Sequence, residues 1–415
     1  MRITLTIKGF LSIREARIEL ANPTFVVGRN GSGKTNFTDA FALIAETTTS
    51  PLQAIFDRRG GIRSVATRRP RRSPFNQPGY ETVRRKEQEP VGFAICFEED
   101  GTSPDLGFSF AKFAFEVCPL SRFEFEVARE QCIVVKDGQK HFYDRTGTRV
   151  HSNLDWMTTA DHWGTGSALL LPIVGNSYIF YRFYEVLKNM RVFSIQPNRL
   201  REPQIPETGS GLKADGSNAP SVLKELKKRD PDTLQRVEQI LESVSPHISR
   251  IRTVQQGKQL SLKFTQEFDN GTAMEFDGFS MSDGTLRVLG LLLAVFQRPQ
   301  PSVAVIEEPE ATIHPGALGT IMDVFRTATR HMQLVITTHS PDLLDTKWIG
   351  PENLRIATWE DGVTRISDIG EMPCEALRAH LMGAGELLRS NALEPTELFG
   401  DSDQLQLALF EDELK

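Results

Sequence analysis

Gly28-Arg29-Asn30-Gly31-Ser32-Gly33-Lys34-Thr35 has the full spacing G-x-x-x-x-G-K-T. Glycines at such spacing let the backbone reach positive φ and approach an anion closely. Consecutive backbone N–H groups, with the N-terminus of the next helix, then face the negative charge. The flanks fit this reading. Phe25-Val26-Val27 ahead of the loop is aromatic and β-branched, as a strand is, and Asn36 to Ile44 behind it is apolar at helical spacing. In a strand–loop–helix unit of this kind Lys34 reaches the β- and γ-phosphates of ATP, and the Thr35 hydroxyl sits on Mg²⁺. Asn30, Gly31, Ser32, Gly33 and Asn36 complete the expected nucleotide contacts.

The chain has 415 residues, room for one large or two modest domains. Its net charge of −6 gives no sign of nucleic acid, so any such contact has to come from a local patch. The four cysteines, Cys96, Cys118, Cys132 and Cys374, form no C-x-x-C pair. A disulfide framework or zinc site is therefore not expected, which suits a reducing cytoplasm. No apolar run approaches the ~20 residues of a membrane span. Met1 to Ile7 alternates like a strand and does not read as a signal peptide.

Along the chain, residues 3–7 and 16–20 read as strands, and 24–27 feeds the phosphate loop. The link Lys8 to Ile13 lies near the expected nucleotide, where Ser12 or Ile13 would touch adenine; an ordinary hairpin connection is the plainer reading. From Arg58 to Lys86 ten basic residues face Glu81 alone, with prolines at 70, 74 and 78. Such a run meets DNA phosphates without reading bases, or is a solvated loop. Residues 91–99, 108–118, 122–129, 131–136 and 140–143 alternate and predict an antiparallel meander, with Asp137-Gly138 as a hairpin turn. Residues 167–189 predict a helix, 191–195 a strand ended by Gln196-Pro197, and 201–218 a loop. Helices at 219–229 and 231–243 and strands at 250–255 and 260–268 follow.

A second constellation lies downstream. Ser280-Met281-Ser282-Asp283-Gly284-Thr285 caps an apolar helix from Leu286 to Phe296, and Gly284 leaves its N-terminus bare to an anion. Val303-Ala304-Val305-Ile306 is an apolar strand ending in Glu307-Glu308-Pro309-Glu310. Ligands bind at the carboxyl ends of parallel strands. Glu307 is expected to support Mg²⁺, and Glu308 to take a proton from the attacking water. Glu310 reads as an acid that opens a surface turn. After a helix at 316–331, Gln333-Leu334-Val335-Ile336-Thr337-Thr338 is another buried strand, and it delivers His339 to the same edge as a γ-phosphate contact.

With these elements in this order, the chain resembles the ABC-type ATPase heads of the SMC/RecF/OLD superfamily. Asp215-Gly216-Ser217-Asn218 and Gly385-Glu386-Leu387-Leu388-Arg389 look like the stand-alone OLD-like ATPases of bacteria. The resemblance implies an α/β head: a mixed central sheet, an antiparallel meander and a helical signature lobe. It divides the chain into a first ATPase lobe (1–200), a signature lobe (201–284), a core segment with Glu308 and His339 (285–370) and a C-terminal part (371–415). It makes Ser282, Asp283 and Gly284 the signature that closes on the nucleotide of a second subunit. Glu308 becomes the catalytic glutamate, His339 the switch histidine, and Gln196 a metal-side glutamine. Glu307 stands where Asp is more usual. The cofactors implied are ATP and Mg²⁺, and the partners a second copy bound head to tail, DNA, or a TOPRIM-like nuclease supplied by another chain. No SMC-type coiled-coil arm is expected, because no long heptad run is present. Two functions compete: an ATPase acting with nucleic acid in phage defence or DNA repair, and an ATP-gated scaffold that holds and releases an effector. A transporter subunit suits neither the meander nor the basic run. The end, from Leu398 to Leu414, is read as a partner-docking or disordered tail.

Overall fold

The computed structural model describes residues 1–67, 89–101, 106–158, 166–209, 211–268, 270–396 and 408–412. Most of the predicted basic run, from Arg68 to Lys86, lies outside them.

The chain builds a mixed sheet from β1 (Arg2–Phe10), β2 (Ile13–Leu20), β3 (Thr24–Val27), β4 (Val91–Glu98), β5 (Phe110–Pro119), β6 (Phe125–Lys136), β7 (Gln139–Thr146), β8 (Arg149–Ser152) and β9 (Arg191–Phe193). β10 (Ile248–Gln256), β11 (Gln259–Glu267) and β12 (Ala273–Asp277) form a separate antiparallel sheet. β13 (Val303–Glu307), β14 (Gln333–Thr338), β15 (Leu354–Glu360) and β16 (Val363–Ser367) return to the first, whose order is β8-β7-β6-β5-β4-β1-β2-β16-β15-β3-β14-β13-β9.

Strands β15, β3, β14, β13 and β9 run parallel, and their side chains alternate between two cores. Val26, Val303, Val305 and Val335 face the core shared with Phe37, Phe41 and the meander. Phe25, Val27, Ala304, Ile306, Leu334 and Ile336 face the core built on the helix Asp283–Phe296. Burial on both faces explains why these strands read as unbroken apolar runs. Their register sets Val26 beside Thr337 and Thr337 beside Glu307, so three carboxyl ends finish level.

Several boundaries differ from the sequence reading. β1 and β2 form one tight hairpin closed at Leu11-Ser12, where Leu11 has φ 49°. Ile13 is fully buried, so it cannot meet adenine as expected. The predicted strands 122–129 and 131–136 are one strand, β6. The polar residues that suggested a break are buried and satisfied: the Glu130 carboxylate accepts from Leu170 N (2.7 Å), Leu171 N (2.9 Å) and the Tyr143 hydroxyl (2.9 Å). The predicted helix 167–189 is two helices, Leu171–Val174 and Tyr181–Lys188, and a Cβ on Gly175 between them would strike the Tyr184 ring at 2.5 Å. β12 escaped notice because it is mostly exposed; Arg252–Glu275 and Lys263–Asp277 ion pairs (2.6 and 2.9 Å) hold it instead. Asp137 (φ 52°) and Gly138 (φ 75°) make the hairpin turn as read. No helix among the described residues is long and apolar enough to cross a membrane.

Candidate nucleotide site

The loop Gly28–Gly33 leaves β3 and enters the helix Lys34–Glu46. Gly28 N donates to Thr338 O (3.3 Å), which ties the loop to the end of β14. Gly33 sits at φ 93°, where a Cβ would lie 1.9 Å from Thr364 Oγ1; a side chain is excluded by both backbone and space. Gly31 (φ 80°) would meet nothing within 4 Å, because it borders an open cavity. The helix has no side-chain cap and no acid in its first turn, so its N–H groups and positive dipole end are left for an anion. That cavity, about 410 Å³, is lined by Ser12, Asn30, Gly31, Gly33, Lys34, Thr35, Asn36, Glu308 and Trp359.

Lys34 is 5% exposed and folds back over the loop, donating to Gly28 O (2.8 Å) and Arg29 O (3.1 Å). Its Nζ lies 3.6 Å from Glu308 Oε1. The same oxygen is 3.3 Å from His339 Nδ1, so one carboxylate sits between a lysine and a histidine at the sheet edge. Glu308 reaches this place through a strained backbone, φ 39°. Its N–H donates to Thr337 O (3.0 Å), and its carbonyl accepts from the Arg287 guanidinium (2.6 Å).

Glu307 takes a different role. Its carboxylate accepts from the Thr38 hydroxyl, one turn into the loop helix and one turn beyond Thr35. Glu310 is not the surface acid expected. It is 9% exposed and accepts from Thr338 Oγ1 (2.6 Å) and His339 N (3.2 Å), so it fixes the backbone that presents His339. Asn36 Nδ2 donates to Ser12 Oγ (2.5 Å), which bonds Thr364 Oγ1 (2.6 Å); that hydroxyl also donates to Ser32 O (3.1 Å), so β16 braces the loop.

The residues fit a nucleotide with a divalent cation. Ser32 Oγ is buried without a partner, the helix end is bare, and Thr35 and Glu307 offer hard oxygens near the loop.

Other expected residues lie elsewhere. Ser282 caps the helix Asp283–Phe296 by accepting from Thr285 N (3.1 Å), Asp283 pairs with Arg201, and a Cβ on Gly284 would be 2.8 Å from Thr312 O. None of the three lines the cavity around Lys34. Gln196 is exposed beyond β9 and does not line it either. Arg58 and Arg59, the start of the predicted DNA-binding run, are used within the chain: Arg59 bonds Asp39 (2.7 Å) and Glu46 (3.0 Å), and Arg58 bonds Glu46 (2.7 Å).

Four residues around the site went unread in the sequence. Thr38 holds Glu307, Thr364 braces the loop, exposed Trp359 walls the cavity, and buried Arg287 ties Glu308 O to Ile195 O. Arg287 alone left a signal, a single charge within the apolar run Leu286–Phe296. Burial lowers its pKa, against the upward pull of Glu310, Glu308 and Glu307.

Comparison with known proteins fits this geometry. The model of the family described as "AAA domain, putative AbiEii toxin, Type IV TA system" matches residues 24–148 and 181–345, well over half of the chain. Among solved structures, an Smc head bound to the C-winged helix domain of ScpA superposes with TM-score 0.52 at 15% identity, covering 90% of this chain and 98% of that one. An Smc head with an extended coiled coil, bound to the C-terminal domain of ScpA derived from Pyrococcus furiosus, gives TM-score 0.52 at 12% identity, covering 92% and 100%. At these identities the likeness is one of fold. A search of curated proteins finds no match. The chain belongs to this AAA family, and its fold is that of the Smc heads.

Proposed function

We propose that the chain binds Mg·ATP on the Gly28–Thr35 loop and hydrolyses it. The observation that carries this reading is the Glu308 carboxylate, set 3.6 Å from Lys34 Nζ and 3.3 Å from His339 Nδ1 at the rim of the phosphate cradle. Asn30, Gly31, Ser32, Gly33, Lys34 and Asn36 bind the nucleotide; Thr35 and Glu307 would hold Mg²⁺, and Gln196, which lies outside the cavity in this structure, would join them only on a rearrangement of the site. The cation, when bound, neutralises charge on the phosphates. Glu308 accepts the proton of the attacking water, and His339 steadies both that carboxylate and the terminal phosphate.

Each cavity lacks its own Ser282-Asp283-Gly284 helix end, which supports a head-to-tail dimer of two copies with the nucleotides at the interface. On this reading residues 201–284 form the lobe that swings on dimerisation, against an ATPase core made of 1–200 and 285–370. The biological role we propose is the ATPase component of a cytoplasmic, OLD-like phage-defence or DNA-repair system, with a TOPRIM-like nuclease in trans or DNA as partner. One observation favours the scaffold variant, in which an effector protein is held and released without action on DNA: Arg58 and Arg59 already pair with Asp39 and Glu46. The ScpA domains bound to the Smc heads are a precedent for a protein partner on this fold.

The test is Glu308→Gln in Mg·ATP, followed by light scattering and phosphate release. The amide keeps nucleotide binding, loses turnover and accumulates a dimer. Phosphate release at the wild-type rate would remove Glu308 from this role.

A further inference from the structure

The last described residues, Ala408-Leu409-Phe410-Glu411-Asp412, lie against the meander on the face turned away from its core. In register, that face presents Gly92 and Ala94 from β4, Lys112 and Ala114 from β5, and Arg129 and Gln131 from β6. Leu409 fills a notch with Ala94 and Ala114 and is 4% exposed. The notch exists because position 92 has no side chain. A Cβ there would lie 2.3 Å from Leu409 Cδ1, and otherwise only 3.6 Å from Phe115 O, an ordinary contact. A glycine inside a strand weakens it and marks close approach of another segment. Here it has ordinary negative-φ backbone, so the space for Leu409 is what an added methyl would remove.

Around the notch the face reads a peptide in three ways. The buried Gln131 amide gives both ends to one backbone unit: Nε2 donates to Glu411 O (2.9 Å) and Oε1 accepts from Glu411 N (2.9 Å). Arg129 lies over the Phe410 ring (4.5 Å) and reaches Asp412 Oδ1 (3.2 Å) while anchored to Asp144 (2.7 Å). Lys112 stands 3.7 Å from Glu411 Oε1. The tail follows residues 397–407 in sequence and pairs with no strand of the sheet.

We propose that this face is an exchangeable peptide-docking site. In the resting chain it holds residues 408–412. Its second occupant is a partner protein's segment of the same chemistry: a bulky aliphatic side chain, then an aromatic, then two carboxylates. Pocket size selects the aliphatic residue, Arg129 the aromatic and the second acid, and Lys112 the first acid, while Gln131 takes any backbone. The site is independent of the nucleotide chemistry proposed above. Tethering gives the tail an effective concentration on the order of millimolar, so a partner has to displace it.

The experiment uses a fluorescein-labelled peptide of residues 404–415 and fluorescence anisotropy with full-length chains. Leu409→Asp empties the site, and this protein binds the peptide saturably. The wild type binds it roughly tenfold more weakly or worse, because its own tail competes. Adding Gly92→Ala to Leu409→Asp abolishes binding, and Arg129→Ala in the same background weakens it several-fold. A second measurement needs no added peptide: Gly92→Ala alone makes residues 408–412 newly sensitive to limited proteolysis, with an unchanged melting temperature. Failure of the Leu409→Asp protein to bind the peptide overturns the proposal, as does indifference of binding or cleavage to Gly92→Ala.

Discussion

Replacing Arg287 by Met should separate turnover from nucleotide binding. The guanidinium is 9% exposed and bonds the carbonyls of Ile195 and Glu308, with a weaker reach to Glu307 O at 3.4 Å. Methionine fills most of the space but donates nothing. Two buried carbonyls then lose a charged donor, and each such orphan costs about 1–3 kcal/mol. Relief of the desolvation that Arg287 itself suffers offsets part of this. The expected net loss of stability is about 2–4 kcal/mol, read by urea unfolding. The kinetic effect follows from Glu308. Its φ of 39° stores roughly 1–3 kcal/mol of backbone strain, held by Thr337 on one side and Arg287 on the other. Without Arg287 the residue relaxes and its carboxylate leaves the place between Lys34 and His339. At about 1.4 kcal/mol per factor of ten, kcat falls roughly 10–100-fold. Binding of a fluorescent ATP analogue stays near wild type, because Arg287 does not line the cavity around Lys34. Arg287→Lys, with one ammonium for two diverging carbonyls, falls between. A Met variant that binds nucleotide normally and turns over within about twofold of wild type would refute the coupling.

Lys34→Ala abolishes binding of the same analogue at micromolar concentrations, and retained binding would discredit the cradle. Gly33→Ala does likewise, because its Cβ would fall 1.9 Å from Thr364 Oγ1; Thr364→Ala in the same chain removes Oγ1 and Cγ2 but leaves its Cβ at 2.8 Å and the positive φ, so rescue is partial. Acid weakens the contact between the loop helix and the helix Leu52–Arg58. Burial raises the Glu46 pKa, but hydrogen bonds from Arg59 and Arg58 outweigh it and hold the group below its usual 4.5. A depressed carboxylate contributes stability above pH about 4.5 and loses it as pH falls through the folded value. Glu46→Gln should therefore lower the melting temperature at neutral pH and converge on wild type in acid; a constant gap across pH would show that charge is not the cause.

Much of the site was legible in the chain because it is local. The phosphate loop is eight consecutive residues, and its geometry follows from where the glycines fall. The parallel strands were legible because burial on both faces leaves apolar runs, each ending in polar residues. Ser282 showed as a cap because its partner, Thr285, is three residues away. What the sequence hid was long-range. Thr38 and Glu307 are 269 positions apart, and nothing local tells which threonine of the helix meets the acid. Glu310 looked like a turn residue until Thr338 and His339 were folded over it. β6 reads from sequence as two strands broken at Glu130, and only the partners of Glu130 and Gln131 on β7, at Leu170 and on the tail make them tolerable inside. The tail itself, partner-docking or disordered on composition, shows a defined place only against Gly92.

The three neighbouring acids show how environment divides labour among like groups. All sit within four residues, and sequence alone reads the last of them as a surface acid. Glu310 is buried and committed to the Thr338 hydroxyl and the His339 amide; its work is to aim the histidine. Glu307 is in register with Thr337 and engaged by Thr38, so it belongs to the loop helix and suits a metal that must be held still. Glu308 is far more solvent-exposed than Glu310, and it alone of the three sits on a strained backbone. A strained residue persists only where its surroundings hold it. Here the surroundings are the end of β14 through Thr337 and the signature-end helix through Arg287. The same guanidinium holds the backbone beside Gln196. Any movement of the helix Asp283–Phe296 is therefore felt at Glu308 and next to Gln196 together, without passing through the nucleotide. On the proposed function, a dimer that closes on Ser282 would thus set the general base Glu308 by the same motion that completes the partner's site.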